Sequence, residues 1–304
     1  MRNEFIKELI KIADKDKRVV LLTADLGFSV LEEFSRRFPD RFYNVGVSEQ
    51  NMIGMATGLA EAGLIPFVYS IGPFSLLRPY EFIKNGPILH NLPVRIVSIG
   101  PGFEYGELGS THHLIEDIAV TRLFPNLITY SPINSENAKS ILSDSYSLNN
   151  PIYYRIGKNR DSLSDGQLYD ETDYFIKLAD GDSHICVFTI GSVLEELIES
   201  NEELKKNKIN ITSYAIKRID NLIYQELLSL IKMYKNIITI EAHYINGGIG
   251  SMIAEIIAEN CLRVRLHRLG VRSLSDGIFG NIQFMHKKHG LCRDQIVSLI
   301  ERIL

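Results

Sequence analysis

The sequence predicts an α/β fold of two domains, each a mostly parallel sheet flanked by helices. Three observations predict it. Apolar extended runs alternate with amphipathic stretches from residue 3 to residue 156. A polar stretch over 157–182 then breaks the pattern, and a second alternation begins at Ile185. Alternation of this kind builds parallel sheets with helices on both faces, and 304 residues leave room for two domains.

Each element follows from its own residues. Residues 3–14 carry the period of a helix, and Val19-Val20-Leu21-Leu22-Thr23 is a buried strand. Residues 43–47 form a short strand that ends before Ser48, a residue suited to cap a helix. Apolar positions at Met52, Met55, Ala56, Leu59 and Ala60 then mark one face of a helix that Gly63 and Pro66 terminate. Residues 66–71 are a strand, and 78–89 are helical, interrupted by Gly86-Pro87. Strands at 94–99, 127–130 and 152–156 complete the first sheet. Residues 157–182, with Gly-Lys-Asn-Arg-Asp and Ser-Leu-Ser-Asp-Gly, have weak periodicity and read as a linker. The second sheet is expected from 185–190, 211–216, 237–241 and 263–269. The expected boundaries are a first domain over 1–160, a linker over 161–183 and a second domain over 184–304.

Composition narrows the function classes. Hydrophobic content of 45% and charged content of 23% are those of an ordinary globular protein. A net charge of −4 gives no general attraction to nucleic acid or to an anionic membrane. No signal peptide and no apolar run long enough to span a bilayer is present, so a cytoplasmic protein is expected. Cys186, Cys261 and Cys292 are odd in number and sit in apolar or helical settings, as reduced thiols do. CxxC, HExxH and Walker patterns are missing, which removes support for metal hydrolysis and nucleotide hydrolysis and leaves no metal ligand set to name.

Two stretches carry chemistry. In the first, Val45-Gly46-Val47-Ser48-Glu49-Gln50-Asn51-Met52-Ile53-Gly54-Met55-Ala56-Thr57-Gly58-Leu59-Ala60, a carboxylate follows directly on a strand and opens a helix. Open α/β sheets bind ligands at such junctions, although an acidic residue in a first turn also simply complements the helix dipole. In the second, Gly106-Glu107-Leu108-Gly109-Ser110-Thr111-His112-His113 follows a buried strand and leads through Ile115-Glu116-Asp117-Ile118-Ala119 into a helix. A third stretch, Glu241-Ala242-His243 followed by Gly247-Gly248-Ile249-Gly250, is a glycine-rich turn that either cradles phosphate or permits tight strand–helix packing.

The first two stretches, in this order and spacing, resemble the pyrimidine-binding domain of thiamine diphosphate enzymes, in particular transketolases and 1-deoxyxylulose-5-phosphate synthases. The second half is similar to the C-terminal domain of transketolases, whose Glu-x-His and Gly-Gly-x-Gly serve chiefly structure and interface. The resemblance implies that Glu49 hydrogen-bonds the aminopyrimidine of thiamine diphosphate and drives the imino tautomer that deprotonates the thiazolium carbon. It implies that His112 contacts the cofactor amine and a substrate oxygen, with His113 as a second substrate-binding candidate. Phe74 lies where the family stacks an aromatic on the pyrimidine, and Tyr80 is the other candidate there; both residues also read as core aromatics. Arg2, Ser29 and Arg155 resemble positions that grip a sugar phosphate, and each also reads as a solvated surface group.

The family's Gly-Asp-Gly segment and downstream Asn, which hold Mg²⁺ and the diphosphate, have no counterpart; Gly181-Asp182-Ser183 lacks the third glycine and the Asn. The chain therefore resembles the C-terminal subunit of a split transketolase. The resemblance implies a separate diphosphate-binding N-terminal subunit that holds most of the Mg²⁺ site, a homodimer of this chain within an α2β2 assembly, and no activity alone. The reaction implied is transfer of a two-carbon ketol unit from a ketose to an aldose through the thiamine diphosphate ylid. Leu108 stands where many transketolases carry an Asp that reads donor hydroxyls, and the upstream His is replaced near Gly100, so a modified or nucleotide-linked sugar is expected. Two other readings compete. The beta subunit of a 2-oxo acid dehydrogenase has the same domain order, but Thr111-His112-His113 before Glu-Asp-Ile-Ala favours a transketolase. A degenerate, non-catalytic subunit would have no need to keep both Glu49 and His112.

Overall fold

The computed structural model describes residues 1–158, 170–181, 184–274 and 276–304. One compact unit comprises Met1–Gly100 with residues 124–158, and a second comprises Pro101–Leu123 with the described residues from 170 onward. Much of the stretch expected as linker lies outside the described residues, as do Asp182 and Ser183 of the Gly181-Asp182-Ser183 segment.

The first unit holds strands β1 (Val19–Thr23), β2 (Phe42–Asn44), β3 (Ile65–Ile71), β4 (Arg95–Ile99), β5 (Ile128–Tyr130) and β6 (Ile152–Ile156). Its helices are α1 (Arg2–Lys15), α2 (Glu32–Arg37), α3 (Glu49–Glu61), α4 (Tyr80–Ile83) and α6 (Ser135–Ser145); the short α5 (Asp117–Thr121) belongs to the other unit. The strands lie in the order β5-β6-β4-β3-β1-β2, and every neighbouring pair is parallel. β1, β4 and β6 are buried along their whole length, as strands covered on both faces must be. The chain runs outward from β1 to β2 on one side and through β3 and β4 on the other. The order therefore reverses beside β1, which opens a crevice at the carboxyl ends of the strands. The residues after β2 and after β3 border it.

The second unit contains β7 (Phe175–Ala179), β8 (Ile185–Ile190), β9 (Thr212–Ile216), the two-residue β10 (Arg218–Ile219), β11 (Asn236–Tyr244) and β12 (Arg265–Val271). Its longer helices are α7 (Leu194–Lys206), α8 (Ile223–Ile231), α9 (Ile249–Glu259), α10 (Ile282–Lys288) and α11 (Arg293–Ile303). Five strands form a sheet in the order β12-β11-β8-β9-β7, parallel except where β7 meets β9. Successive residues of β8 feed opposite cores: Phe188 packs with Tyr214 and Leu227, while Val187 packs with Leu197 and Ile300. β7 lies in the stretch whose polarity reads as linker. It is an edge strand that buries Phe175 and Ile176 and leaves Lys177, Leu178 and Ala179 half-exposed, so its apolar signal is short and broken by a lysine.

The glycine turn after β11 has a definite answer. The buried Glu241 carboxylate accepts the N–H groups of Ile249 (2.8 Å) and Gly250 (2.9 Å) at the head of α9. The anion that this helix start attracts is thus the protein's own side chain. A Cβ on Gly248 would stand 2.0 Å from Glu241 Oε2. Gly248→Ala is expected to cost about 1–3 kcal/mol, the usual range for overpacking a filled site, measured by urea unfolding.

Candidate active site

The chain leaves β2 through Val45, whose N–H donates to the Thr23 carbonyl at 2.9 Å, and turns at Gly46, where φ is 72°. Ser48 occupies the N-cap position, but its hydroxyl takes no N–H from the helix, contrary to the capping expected of it. Glu49 opens α3 with its side chain 2% exposed, and its Oε2 accepts a hydrogen bond from Arg78 Nη1 at 2.8 Å. The Arg78 guanidinium carbon stands 4.4 Å from the centre of the Phe74 ring, within cation–π range. A buried carboxylate, a guanidinium and an aromatic face thus converge at the crevice beside β1.

The segment that carries Phe74 and Arg78 departs from the helix expected over 78–89. Two wide turns, Pro73–Leu77 and Lys84–Ile88, flank the single turn of α4. Each closes through a bond five residues long, Arg78 N–H to Pro73 O at 3.0 Å and Leu89 N–H to Lys84 O at 3.1 Å. Pro79 and Pro87 lack an N–H, so an uninterrupted α ladder is unavailable here, and wide turns of this type recur at functional sites. The Ser75 hydroxyl meets the Ser98 hydroxyl on β4 at 2.5 Å and ties the first turn to the sheet. Tyr80 packs its ring 5.7 Å from that of Phe124, and burial pushes its hydroxyl pKa up.

The three candidate phosphate contacts lie on different elements. Arg2 opens α1, and Arg155 is fully buried on β6. Ser29 is exposed in the loop after β1, in the left-handed region at φ 63°, its N–H donating to Glu32 Oε1 at 2.6 Å. β4 and β3 lie between β6 and β1, which separates those strands by about 14 Å.

In the second unit, Gly102 and Leu114 exchange N–H and carbonyl bonds at 2.8 and 3.0 Å and close the loop between them. Leu108 is exposed, and half-buried His112 has its Nδ1 2.9 Å from the Thr111 hydroxyl. His113 is buried instead: its Nε2–H donates to the Gly106 carbonyl at 3.0 Å, and its ring meets Phe103 and Phe279 edge-on. The His289 ring stacks on Phe103 with centroids 5.3 Å apart. Behind the loop, His243 Nε2 accepts the Ala119 N–H at 3.2 Å and its Nδ1–H donates to the Tyr244 carbonyl, which seats α5. Burial raises the Glu116 carboxyl pKa.

Desolvation, with Lys288 nearby, holds the pKa of His113 and His289 below the usual 6.5. Both rings therefore take up protons less readily in the folded chain than in the unfolded one. Stability from this pair is complete above about pH 6.5 and falls as pH drops below it. Melting temperatures between about pH 8 and pH 5.5 should show that loss, and His289→Phe, which keeps the stack, should flatten the profile.

A carboxylate at the head of a helix on the carboxyl edge of a parallel sheet, in a chain whose second unit is another mostly parallel sheet, is the arrangement of a thiamine diphosphate enzyme's pyrimidine and C-terminal domains. Residues 1–160 match the family model "Transketolase, pyrimidine binding domain", and residues 176–278 match "Transketolase, C-terminal domain". A transketolase C-terminal section of Methanocaldococcus jannaschii is 33% identical over 99% of this chain and 95% of its own length. One subunit of an apulose-4-phosphate transketolase of Actinobacillus succinogenes is 30% identical, covering 98% and 96%. A solved structure described as a split gene transketolase, inactive beta4 tetramer, superposes with a TM-score of 0.84 at 25% identity, covering 99% and 96%. The chain belongs to the transketolase family, and it corresponds to the C-terminal subunit of a two-chain transketolase.

The candidate residues fall in both units: Glu49, Phe74 and Tyr80 with Arg2, Ser29 and Arg155 in the first, His112 and His113 in the second. Arg78 is the residue that sequence reasoning missed. Its signal was a basic side chain four positions after Phe74, on a segment whose wide turns hide the spacing. Among the described residues, no group of three His, Cys, Asp or Glu side chains is placed to hold a metal ion, and no helix is long and apolar enough to cross a membrane.

Proposed function

We propose that this subunit supplies the pyrimidine side of a thiamine diphosphate site and that the assembled enzyme moves a two-carbon ketol unit from a ketose to an aldose. The observation that carries the reading is Glu49, a buried carboxylate at the head of α3 with an aromatic face beside it. The fit to the cofactor's ring is good. A planar cation with N–H donors, the Arg78 guanidinium, already sits against both groups, which is the shape and polarity of an aminopyrimidine. When bound, the cofactor supplies the carbanion and the electron sink. Glu49 then holds a proton against the ring nitrogen, and Phe74 and Tyr80 wall the ring. Half-buried His112 holds or moves a proton at the substrate oxygen; buried His113 positions the loop behind it. Arg155, Ser29 and Arg2 are assigned to the sugar phosphate as separate contacts.

The diphosphate and Mg²⁺ are assigned to a separate N-terminal subunit, with this chain as a homodimer in an α2β2 assembly. The start and solvent face of α3 support a covering partner: Val47, just before the helix, is 73% exposed, Met55 on it is exposed, and open space surrounds Gly54 and Gly58. Free Cys186, Cys261 and Cys292 support a reducing, cytoplasmic setting. Exposed, apolar Leu108 supports a donor other than an ordinary pentose phosphate, since a buried hydroxyl without a partner costs about 1–3 kcal/mol.

The test is calorimetry with thiamine diphosphate and Mg²⁺ on this chain alone and on the complex co-expressed with the diphosphate-binding subunit. Binding to the complex and none to the lone chain is expected. Micromolar binding by the lone chain overturns the split-site reading.

A further inference from the structure

We propose that Arg78 is an internal stand-in for the cofactor's pyrimidine: its guanidinium fills the ring site when the site is empty and is displaced when the ring arrives. The inference rests on the pyrimidine-site reading of Glu49 and Phe74. One guanidinium makes both contacts that the reading assigns to the ring, a hydrogen bond to Glu49 Oε2 at 2.8 Å and a stack on Phe74 at 4.4 Å. Guanidinium and aminopyrimidine share the properties that matter: both are planar, both donate N–H bonds to a carboxylate, and both lie against an aromatic face.

The exposures of the two partners decide which one moves. Glu49 is 2% exposed and fixed in the first turn of α3, whereas the Arg78 side chain is 40% exposed on a long, flexible stem. A buried carboxylate without a cation is costly. The empty site therefore needs a counter-ion, and a half-exposed arginine can leave for water at little cost once a protonated ring takes its place on the same carboxylate. The site stays preformed without the cofactor, and binding exchanges one planar cation for another.

Displacement has a thermodynamic signature that a ligand role or a purely structural role lacks. If the ion pair exists only in the empty state, removing Arg78 destabilises that state alone, and by linkage the same free energy reappears as tighter binding. Arg78→Met should lower the melting temperature of the empty full-length chain. In the complex with the diphosphate-binding subunit, calorimetry with thiamine diphosphate and Mg²⁺ should show tighter binding by up to about fivefold, the fold-change of a pair with one half-exposed partner. Arg78→Lys keeps the charge but loses the fork and the stack, so its gain should be smaller, and it serves if the Met variant does not fold. Weaker binding by either variant overturns the proposal and makes Arg78 a cofactor ligand. A lowered melting temperature with unchanged affinity overturns it by showing that the pair persists in both states, and no change in either shows it inert. If the wild-type complex binds no thiamine diphosphate, the pyrimidine-site reading itself has failed, and this proposal with it.

Discussion

Glu49→Gln is expected to abolish nearly all turnover of the reconstituted enzyme while leaving the subunit folded. Glutamine keeps the length, the burial and an oxygen that still accepts from Arg78. What it loses is the ability to take and hold a proton at the ring nitrogen. The loss of transition-state stabilisation should be about 3–5 kcal/mol, the scale for removing a group that controls the essential proton. The fold should lose far less, because the Arg78 partner is 40% exposed and pairs of that kind contribute about 0–1 kcal/mol. Steady-state kinetics of the complex beside urea unfolding of the variant separates the two effects. A complex with near wild-type turnover would rule out the assigned role.

Arg95→Met should give the largest loss of stability in the first unit. Arg95 is fully buried at the start of β4, where Nε donates to the Tyr146 carbonyl at 2.9 Å, Nη1 to Asn150 at 2.5 Å and Nη2 to Leu148. Three carbonyls of the turn between α6 and β6 thus share one planar donor array, which only arginine offers. Burial pulls its pKa down to about 10, still far above neutrality, so the group stays charged. Methionine fills the space and supplies no donor. The expected cost is about 2–4 kcal/mol, given about 1–3 kcal/mol for a buried acceptor left unpaired and some access of water to the turn. Arg95→Lys should recover only part of it, because one ammonium cannot span three acceptors. Urea unfolding of the full chain measures both, and equal stability of the Met variant would mean that the turn is held by other contacts.

Most of the sheet architecture is legible in the residues because parallel strands buried on both faces are continuous apolar runs. Val19–Thr23, 94–99 and 185–190 announce themselves in that way. The Glu49 junction is legible for a related reason, since a strand, a cap-type residue, a carboxylate and a helical period follow one another without interruption. β7 is not legible, because it is a short edge strand, interrupted by Lys177 and set among polar residues on both sides. The wide turns around α4 are hidden as well. They change the spacing between Phe74, Arg78 and Tyr80 without changing the composition, so an α-helical reading of that segment misplaces every side chain beyond Pro73. The His113 ring packs against Phe103 and against Phe279, 166 positions away, and local pattern carries no trace of the second. Arg78 was missed for both reasons together: its partner is 29 positions upstream, and its phase is set by a turn that is not α.

The turn at Pro73–Leu77 also sets an angular offset. A π-type turn accommodates one residue more than an α turn does, and each residue on a helix advances the side-chain direction by about 100°. Removing a single residue between Pro73 and Leu77 would let the segment relax into ordinary helix and would leave the sheet intact. It would also rotate position 78 by about a quarter turn, away from Glu49. The electrostatics of the pocket therefore depend on the length of this segment as much as on its chemistry. A homologue that shortens it by one residue should need its cation at a neighbouring position to keep the same carboxylate paired.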